Sequence, residues 1–319
     1  MPERQPEFLV EENDGVTRAA ALLKRGALVA LPTETVYGLA ADARNDAACA
    51  MIFEAKGRPR FNPLIVHLAD ISQVAQIAEL SPVARDLAQA FWPGPLTLVL
   101  PLKPGHGLSP LVTAGMDNVA IRLPAHPTAR AVLQAFGGPV AAPSANPSGR
   151  ISPTTAAHVA EELGDRVAAI LDAGPCAVGV ESTILAPSEA GTRLLREGGL
   201  PREAIEPLTG PLIVDTTPGR IEAPGQLSRH YAPSVPVTLN SALDDASAVR
   251  VGFTKADGGD LYLSHSGDLV EAAAALFHIL HLADATARAG QKAAIHVAPV
   301  PDTGLGRAIN DRLRRAAAP

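Results

Sequence analysis

Residues 46–69 read DAACAMIFEAKGRPRFNPLIVHLA. The first eleven residues favour a helix, with Asp46 as the expected N-cap and Gly57 as the expected stop. PLIVHLA (63–69) is a short apolar run broken only by His67, the pattern of a strand buried on both faces. A helix that feeds a buried strand through a tight loop is a repeating unit of α/β sheets. The loop itself carries Lys56, Arg58 and Arg60 and is stiffened by Pro59 and Pro63. Lys56 complements the negative end of its helix dipole, whereas Arg58 and Arg60 have no such local partner. Cations fixed on a stiffened loop suit phosphate oxygens, Arg offering a planar fork and Lys a point charge. No G-x-x-x-x-G-K-[ST] occurs in the chain, so the phosphate device is not a P-loop.

The alternation continues on both sides of this unit. GVTRAAALLKR (15–25) has helical spacing with Gly26 as its stop, and ALVALPT (27–33) reads as a buried strand. Ser81 and Pro82 open another helix, and PTARAVLQAF (127–136) and the stretch from about Thr154 to Leu163 are two more. Strands are expected at 95–101, 118–124, 139–144 and 167–172, followed by a hairpin-like pair at 182–187 and 192–197. The fold class is therefore α/β with a mixed sheet. The Pro-rich stretch 207–236 reads as a linker, and after it a smaller α/β unit of roughly eighty residues follows.

Composition restricts the function. At 319 residues, two domains are favoured over one. A net charge of −6 argues against a generally basic nucleic-acid coat, and 3% aromatic residues argue against a base-stacking platform. Two distant cysteines, Cys49 and Cys176, make neither a disulfide framework nor a zinc site, and they fit a reducing compartment. The acidic N-terminus has no apolar targeting region, and no run approaches eighteen apolar residues. A cytoplasmic protein without a membrane span is expected.

Three stretches carry polar groups where α/β sheets place ligands, at strand ends. The first is LPTETVYGLAADA (31–43), for which spacing alone slightly favours a polar turn with Tyr37 packed on the sheet. The second is the cationic loop, where periodicity alone makes His67 a core residue. The third is APSANPSGRISPTT (142–155), whose Ser144 and Asn146 stand on a Pro/Gly loop. Such a loop is a nucleotide cradle or simply a well-capped turn. No G-x-S-x-G surrounds Ser144, so it is not read as a nucleophile. Arg122 interrupts a buried-looking strand and needs a partner or a ligand. Arg307, Arg312, Arg314 and Arg315 near the C-terminus are read as a solvated helix face diluted by Asp311.

PTETVYGLAADA, K-x-R followed by NPLIVH, the S-A-N loop and ESTIL stand in the order and spacing of the YrdC/Sua5 family, which this chain resembles over about residues 12–205. SRHYAP (228–233) and GLGRAINDRLRRAA resemble the long Sua5 form with its extra C-terminal domain. The resemblance implies a YrdC-like twisted mixed sheet at 12–206, a linker or lid at 207–235 and a Rossmann-like C-terminal domain at 236–319. It implies formation of threonylcarbamoyl-AMP and pyrophosphate from L-threonine, bicarbonate and ATP, for the N6-threonylcarbamoyladenosine (t6A) of tRNA. Such chemistry asks for positioning and charge neutralisation rather than a protein nucleophile.

By the same resemblance, Lys56, Arg58, Asn62, Asn146, Thr154 and Arg196 fall on the ATP side, Lys56 and Arg58 being the catalytic pair. Thr35, His67, Arg122, Ser144 and Ser182 fall on the threonine side, where Arg122 would pair with the substrate carboxylate. Thr113 and Asn118 are both ATP-side candidates, with Asn118 preferred for its spacing to Arg122. Tyr231 matches the residue that folds over the site. Mg2+ is expected with ATP and without a protein cage, and the downstream tRNA t6A transferase machinery is the expected partner. The alternatives are a tRNA- or duplex-RNA-binding module without turnover, and the carbamoyl transfer of hydrogenase maturation. The second lacks its zinc-finger cysteines and acylphosphatase-like segment here.

Overall fold

The computed structural model describes residues 5–214 and 229–319. The first unit begins with β1 (Glu7–Val10), α1 (Gly15–Lys24), β2 (Val29–Leu31), β3 (Gly38–Asp42), α2 (Asp46–Lys56) and β4 (Ile65–His67). Two helices, α3 (Val74–Ile77) and α4 (Pro82–Phe91), lead to β5 (Leu96–Pro101). Then come α5 (Pro110–Thr113), β6 (Asn118–Arg122), α6 (Pro127–Phe136), β7 (Val140–Ala141) and α7 (Ala156–Leu163). β8 (Ala169–Asp172), the hairpin β9 (Thr183–Ser188) and β10 (Gly191–Arg196), α8 (Arg202–Thr209) and β11 (Ile213–Val214) complete it.

These strands form one mixed sheet in the order β1-β8-β2-β3-β7-β4-β6-β5-β9-β10-β11. Strand alternation divides the core in two: Val29 and Leu31 face α1 and α6, whereas Leu28 and Ala30 face the layer containing α2, α4 and α7. Truncating a buried side chain of either layer, such as Ile52 or Leu133, to alanine costs roughly 2–5 kcal/mol.

Local chemistry fixes the helix ends. Asn45, not Asp46, caps α2: its side chain accepts from the Ala48 N–H at 3.1 Å, and Asp46 lies in the first turn. There its carboxylate still complements the helix dipole. Gly57 ends α2 at φ 58°, a left-handed conformation that turns the chain into the cationic loop. Ser81 caps α4 ahead of Pro82, and Thr155 caps α7.

The stretch expected as linker from residue 207 starts as ordered structure. α8 continues through Pro207 to Thr209, and β11 adds to the sheet parallel to β10. Residues 215–228, about half of the expected linker, lie outside the described residues. The second unit holds β12 (Val237–Leu239), β13 (Val249–Thr254), β14 (Leu261–Ser264), α9 (Leu269–Gly290), β15 (Ile295–Val297) and α10 (Gly306–Ala316). Its four strands are all parallel, in the order β12-β15-β13-β14. By length and composition alone α9 suffices to cross a membrane; here it packs on β13, β14 and α10.

The units share a hydrophobic cluster in which Val36, Ile151 and Val180 meet Phe277 and Leu280 of α9, with Tyr231 between them. The C-terminal arginines are not one solvated face. Arg314 is exposed, but Arg307 pairs with Glu203 at 2.7 Å, Arg315 with Asp311 at 3.1 Å, and Arg312 is fully buried against Glu181. Helical periodicity puts Arg312 among Ala308, Ile309, Leu313 and Ala316, the face buried in the fold.

Candidate functional site

Parallel β4 and β6 end together, with His67 in register with Arg122. Around these ends converge the turn after β2, the loop after β7, the start of β9 and the end of β10, as ligand sites in α/β sheets require. The resulting cavity is lined by Thr35, Arg58, His67, Arg122, Ser144, Ser182, Arg196 and Tyr231 of the sequence-predicted set. Thr33, Glu34 beside it, Glu181 and His230 add polar groups not singled out as ligand contacts from sequence. The cavity volume is about 50 Å³, far below the roughly 300–1,000 Å³ of drug-sized ligand pockets. Tyr231, only 1% exposed, and His230 lie against its wall.

On one side Arg122 is held by three contacts. Nε donates to the Gly94 carbonyl at 3.2 Å, a terminal nitrogen donates to Thr35 Oγ1 at 2.8 Å, and the other pairs with Glu34 at 2.6 Å. The partner of the strand arginine is thus Glu34, three residues past the end of β2. Burial would raise the Glu34 carboxyl, but Arg122 outweighs it and holds the group below the usual carboxylate range. Burial, reinforced by Arg122, pushes His67 down to about 3, so its imidazole is neutral at physiological pH. Ser182 Oγ shares a 2.7 Å hydrogen bond with Thr97 Oγ1, a fully buried hydroxyl on β5.

On the other side three cations are buried. Lys56 Nζ donates to the Ser144 carbonyl at 2.6 Å and to the Asn146 carbonyl, tying α2 to the S-A-N loop. Arg58 folds onto its own loop, donating to the Asn62 and Pro63 carbonyls at 3.1 and 2.8 Å. Arg196 donates to the Ser182 carbonyl at 2.9 Å and to its hydroxyl at 3.1 Å. Burial lowers all three: Lys56 well below the lysine range, Arg58 to about 9 and Arg196 to about 10. A concentration of buried positive charge is what a polyanion relieves. Arg60 is exposed and takes no part in the cavity.

Asn62, Asn146 and Thr154 sit behind this wall. The Oδ1 atoms of both asparagines and the Thr154 hydroxyl are buried with no partner among the described residues. Buried polar atoms without partners invite an explanation such as a ligand. Asn118 opens β6 opposite Pro101, at the other end of the strand from Arg122, roughly 13 Å away at the rise of an extended chain. Thr113 is buried, its hydroxyl donating to the Pro110 carbonyl at 3.4 Å. Neither lines the cavity. Tyr37 packs on the sheet as periodicity suggested, its hydroxyl donating to the Gly174 carbonyl.

Comparison with known proteins gives a consistent result. The Sua5/YciO/YrdC family profile, described as "Telomere recombination", matches residues 21–198. The profile of the threonylcarbamoyl-AMP synthase C-terminal domain matches residues 200–318. The chain is 43% identical to the threonylcarbamoyl-AMP synthase of Bacillus subtilis, over 95% of this chain and 92% of that one. It is 40% identical to that of Pyrococcus abyssi, over 93% and 92%. The crystal structure of P. abyssi Sua5 complexed with L-threonine superposes with a TM-score of 0.88 at 37% identity, covering 98% of both chains. Cavity, strand-end geometry and these similarities agree: the chain belongs to the Sua5/YciO/YrdC family, in the form that carries the additional C-terminal domain.

Proposed function

We propose that this cavity is where L-threonine, bicarbonate or CO2, and ATP become L-threonylcarbamoyl-AMP and pyrophosphate. The observation that carries the reading is the meeting of Arg122, His67 and Ser182 with Arg58 and Arg196 in one cavity of a chain 43% identical to a threonylcarbamoyl-AMP synthase. The threonine nitrogen attacks the carbon of CO2 and loses a proton, giving a carbamate. A carbamate oxygen then attacks the α-phosphorus, and the bond to pyrophosphate breaks with its electron pair leaving on pyrophosphate. No protein nucleophile is required, and none is supplied by a cysteine: burial raises Cys176 to about 12.

Arg122 orients the threonine carboxylate, neutral His67 and the Ser182 hydroxyl complete that side, and Thr35 holds Arg122 in place. Lys56, Arg58 and Arg196 neutralise the phosphates and the charge that shifts to pyrophosphate. Asn62, Asn146 and Thr154 offer their spare buried atoms to the nucleotide, and Tyr231 covers it. Asn118 belongs to this reading only if the nucleotide reaches the far end of β6. Mg2+ enters with ATP. That ion would be held by the phosphates and water rather than by a protein cage.

The product is an activated acyl-adenylate, which the tRNA t6A transferase machinery would consume, and the cytoplasm is where these substrates meet. Gripping of an RNA backbone by the same cations is not favoured: Lys56, Arg58 and Arg196 are all buried, whereas backbone neutralisation needs exposed charge. Pyrophosphate release is the test, with ATP, bicarbonate and single amino acids. Release that does not depend on threonine would sink the reading.

A further inference from the structure

Among the described residues Arg312 is the largest fully buried side chain, and it comes from the last helix of the second unit. Its Nε donates to Glu181 Oε2 at 2.9 Å, and one terminal nitrogen donates to the Glu197 carbonyl and to Asp311 at 3.2 Å. Its guanidinium carbon lies 5.6 Å from the centre of the Tyr231 ring. Glu181 accepts a second hydrogen bond, from Ser152 Oγ at 2.6 Å, on its other oxygen.

These contacts have a common geometry. Glu181 immediately precedes Ser182, and Glu197 immediately follows Arg196. Ser182 and Arg196 are the two residues that bond each other across the cavity wall. One guanidinium therefore grips the chain on the outer flank of each member of that contact, and it supports the Tyr231 ring as well. A buried ion pair is a poor source of stability, since apolar residues of similar volume usually serve as well, but it fixes direction and spacing. A planar fork with several donors does so better than any other side chain.

We infer that Arg312 is a positioning residue through which the second unit sets the spacing of Ser182, Arg196 and Tyr231, so that the first unit's site is complete only with α10 docked. The inference rests on the reading that the cavity takes threonine and ATP.

Three full-length variants test it: Arg312→Gln, Arg312→Lys and the double variant Glu181→Gln/Arg312→Gln. Steady-state pyrophosphate release gives KM for each substrate and kcat, and circular dichroism gives the folded fraction. Arg312→Gln should raise the threonine KM about tenfold and lower kcat/KM about a hundredfold, the scale of a 1 Å misplacement. Arg312→Lys keeps the charge toward Glu181 and should recover all but about tenfold of kcat/KM. The double variant removes the unpaired buried carboxylate, so it should fold even where Arg312→Gln does not, and it should retain the kinetic defect. A folded double variant with wild-type KM and kcat overturns the inference, as do losses that follow the folded fraction alone. Wild-type protein without threonine-dependent turnover overturns the functional reading, and this inference with it; active wild type with kinetically silent variants overturns only the inference.

Discussion

Arg122 of the cavity wall forms an ion pair at 2.6 Å with Glu34 beside the cavity, both side chains being at or below 10% exposure. A carboxylate thus already stands at the place where a substrate carboxylate would be read. Glu34→Gln should destabilise the free protein by about 3–5 kcal/mol, because it leaves a buried guanidinium without its counter-charge. Threonine should then raise the thermal midpoint more in the variant than in the wild type, since its carboxylate replaces the lost partner. Equal shifts in the two proteins would remove Arg122 from the threonine side.

Arg58 tests the division of the site. Its two carbonyl contacts hold the guanidinium on the side of the cavity proposed for the nucleotide. Arg58→Ala should raise the ATP KM by about 10–100-fold, the worth of a charged hydrogen bond, and the threonine KM much less. Parallel increases for both substrates would show that the two sides are not separate.

With the nucleotide placed as proposed, buried Lys56 would make its binding proton-linked. Lys56 is held well below the lysine range, with Arg58 near 9 and Arg196 near 10, before any anion arrives. Bound phosphates favour the charged form of Lys56 and shift it upward, so ATP binding takes up protons and weakens as pH rises, while the guanidinium groups stay charged. Titration calorimetry in buffers of different ionisation enthalpy measures that uptake directly. No uptake, or release, would contradict the placement of phosphates beside Lys56.

A histidine cluster joins the units: His158 of α7 stacks 4.0 Å from His281 and 5.6 Å from His278 of α9. Glu161, Glu162, Arg150, Asp284 and Arg288 surround it, and His281 Nε2 bonds the Ser152 carbonyl. Burial lowers His158 to about 3 and His281 to about 4, from an ordinary 6.5. The unfolded chain therefore binds more protons below about pH 6.5, so stability is full above that value and declines as pH falls toward these lowered values. The thermal midpoint should fall between about pH 6.5 and 5, and His281→Gln should flatten the slope by removing one such group. An unchanged slope in the variant would place the pH dependence elsewhere.

Much of this was legible along the chain. The unit at 46–69 announced a helix, a stiff cationic turn and a buried strand, and all three are present, with the cap one residue earlier. Arg122 stood out because a charge inside an apolar strand demands a partner, and it has one. His67 was the harder case. Alternation with apolar neighbours describes a core histidine and a cavity histidine equally well, and only the register with Arg122 places it at the strand end. Thr97, inside PLTLVLP, gave a faint signal as a hydroxyl among apolar residues, yet its partner Ser182 is 85 residues away.

Sequence alone determined most of the segments that become helix and strand, because periodicity, capping residues and proline act within a few residues of themselves; β3, the end of α8 and β11 were not among them. It also determined which loops carry charge. Tertiary structure alone decided which of those charges face one another. The C-terminal arginines show the reason: from spacing and dilution by Asp311 they read as one solvated face, yet Arg312 is buried against a glutamate 131 residues earlier. A pairing over that distance is set by how two units dock, and burial then turns an ordinary surface charge into one that must be matched. The same holds at the opening loop, where Lys56 reaches across 88 residues to the Ser144 carbonyl and closes the site from behind.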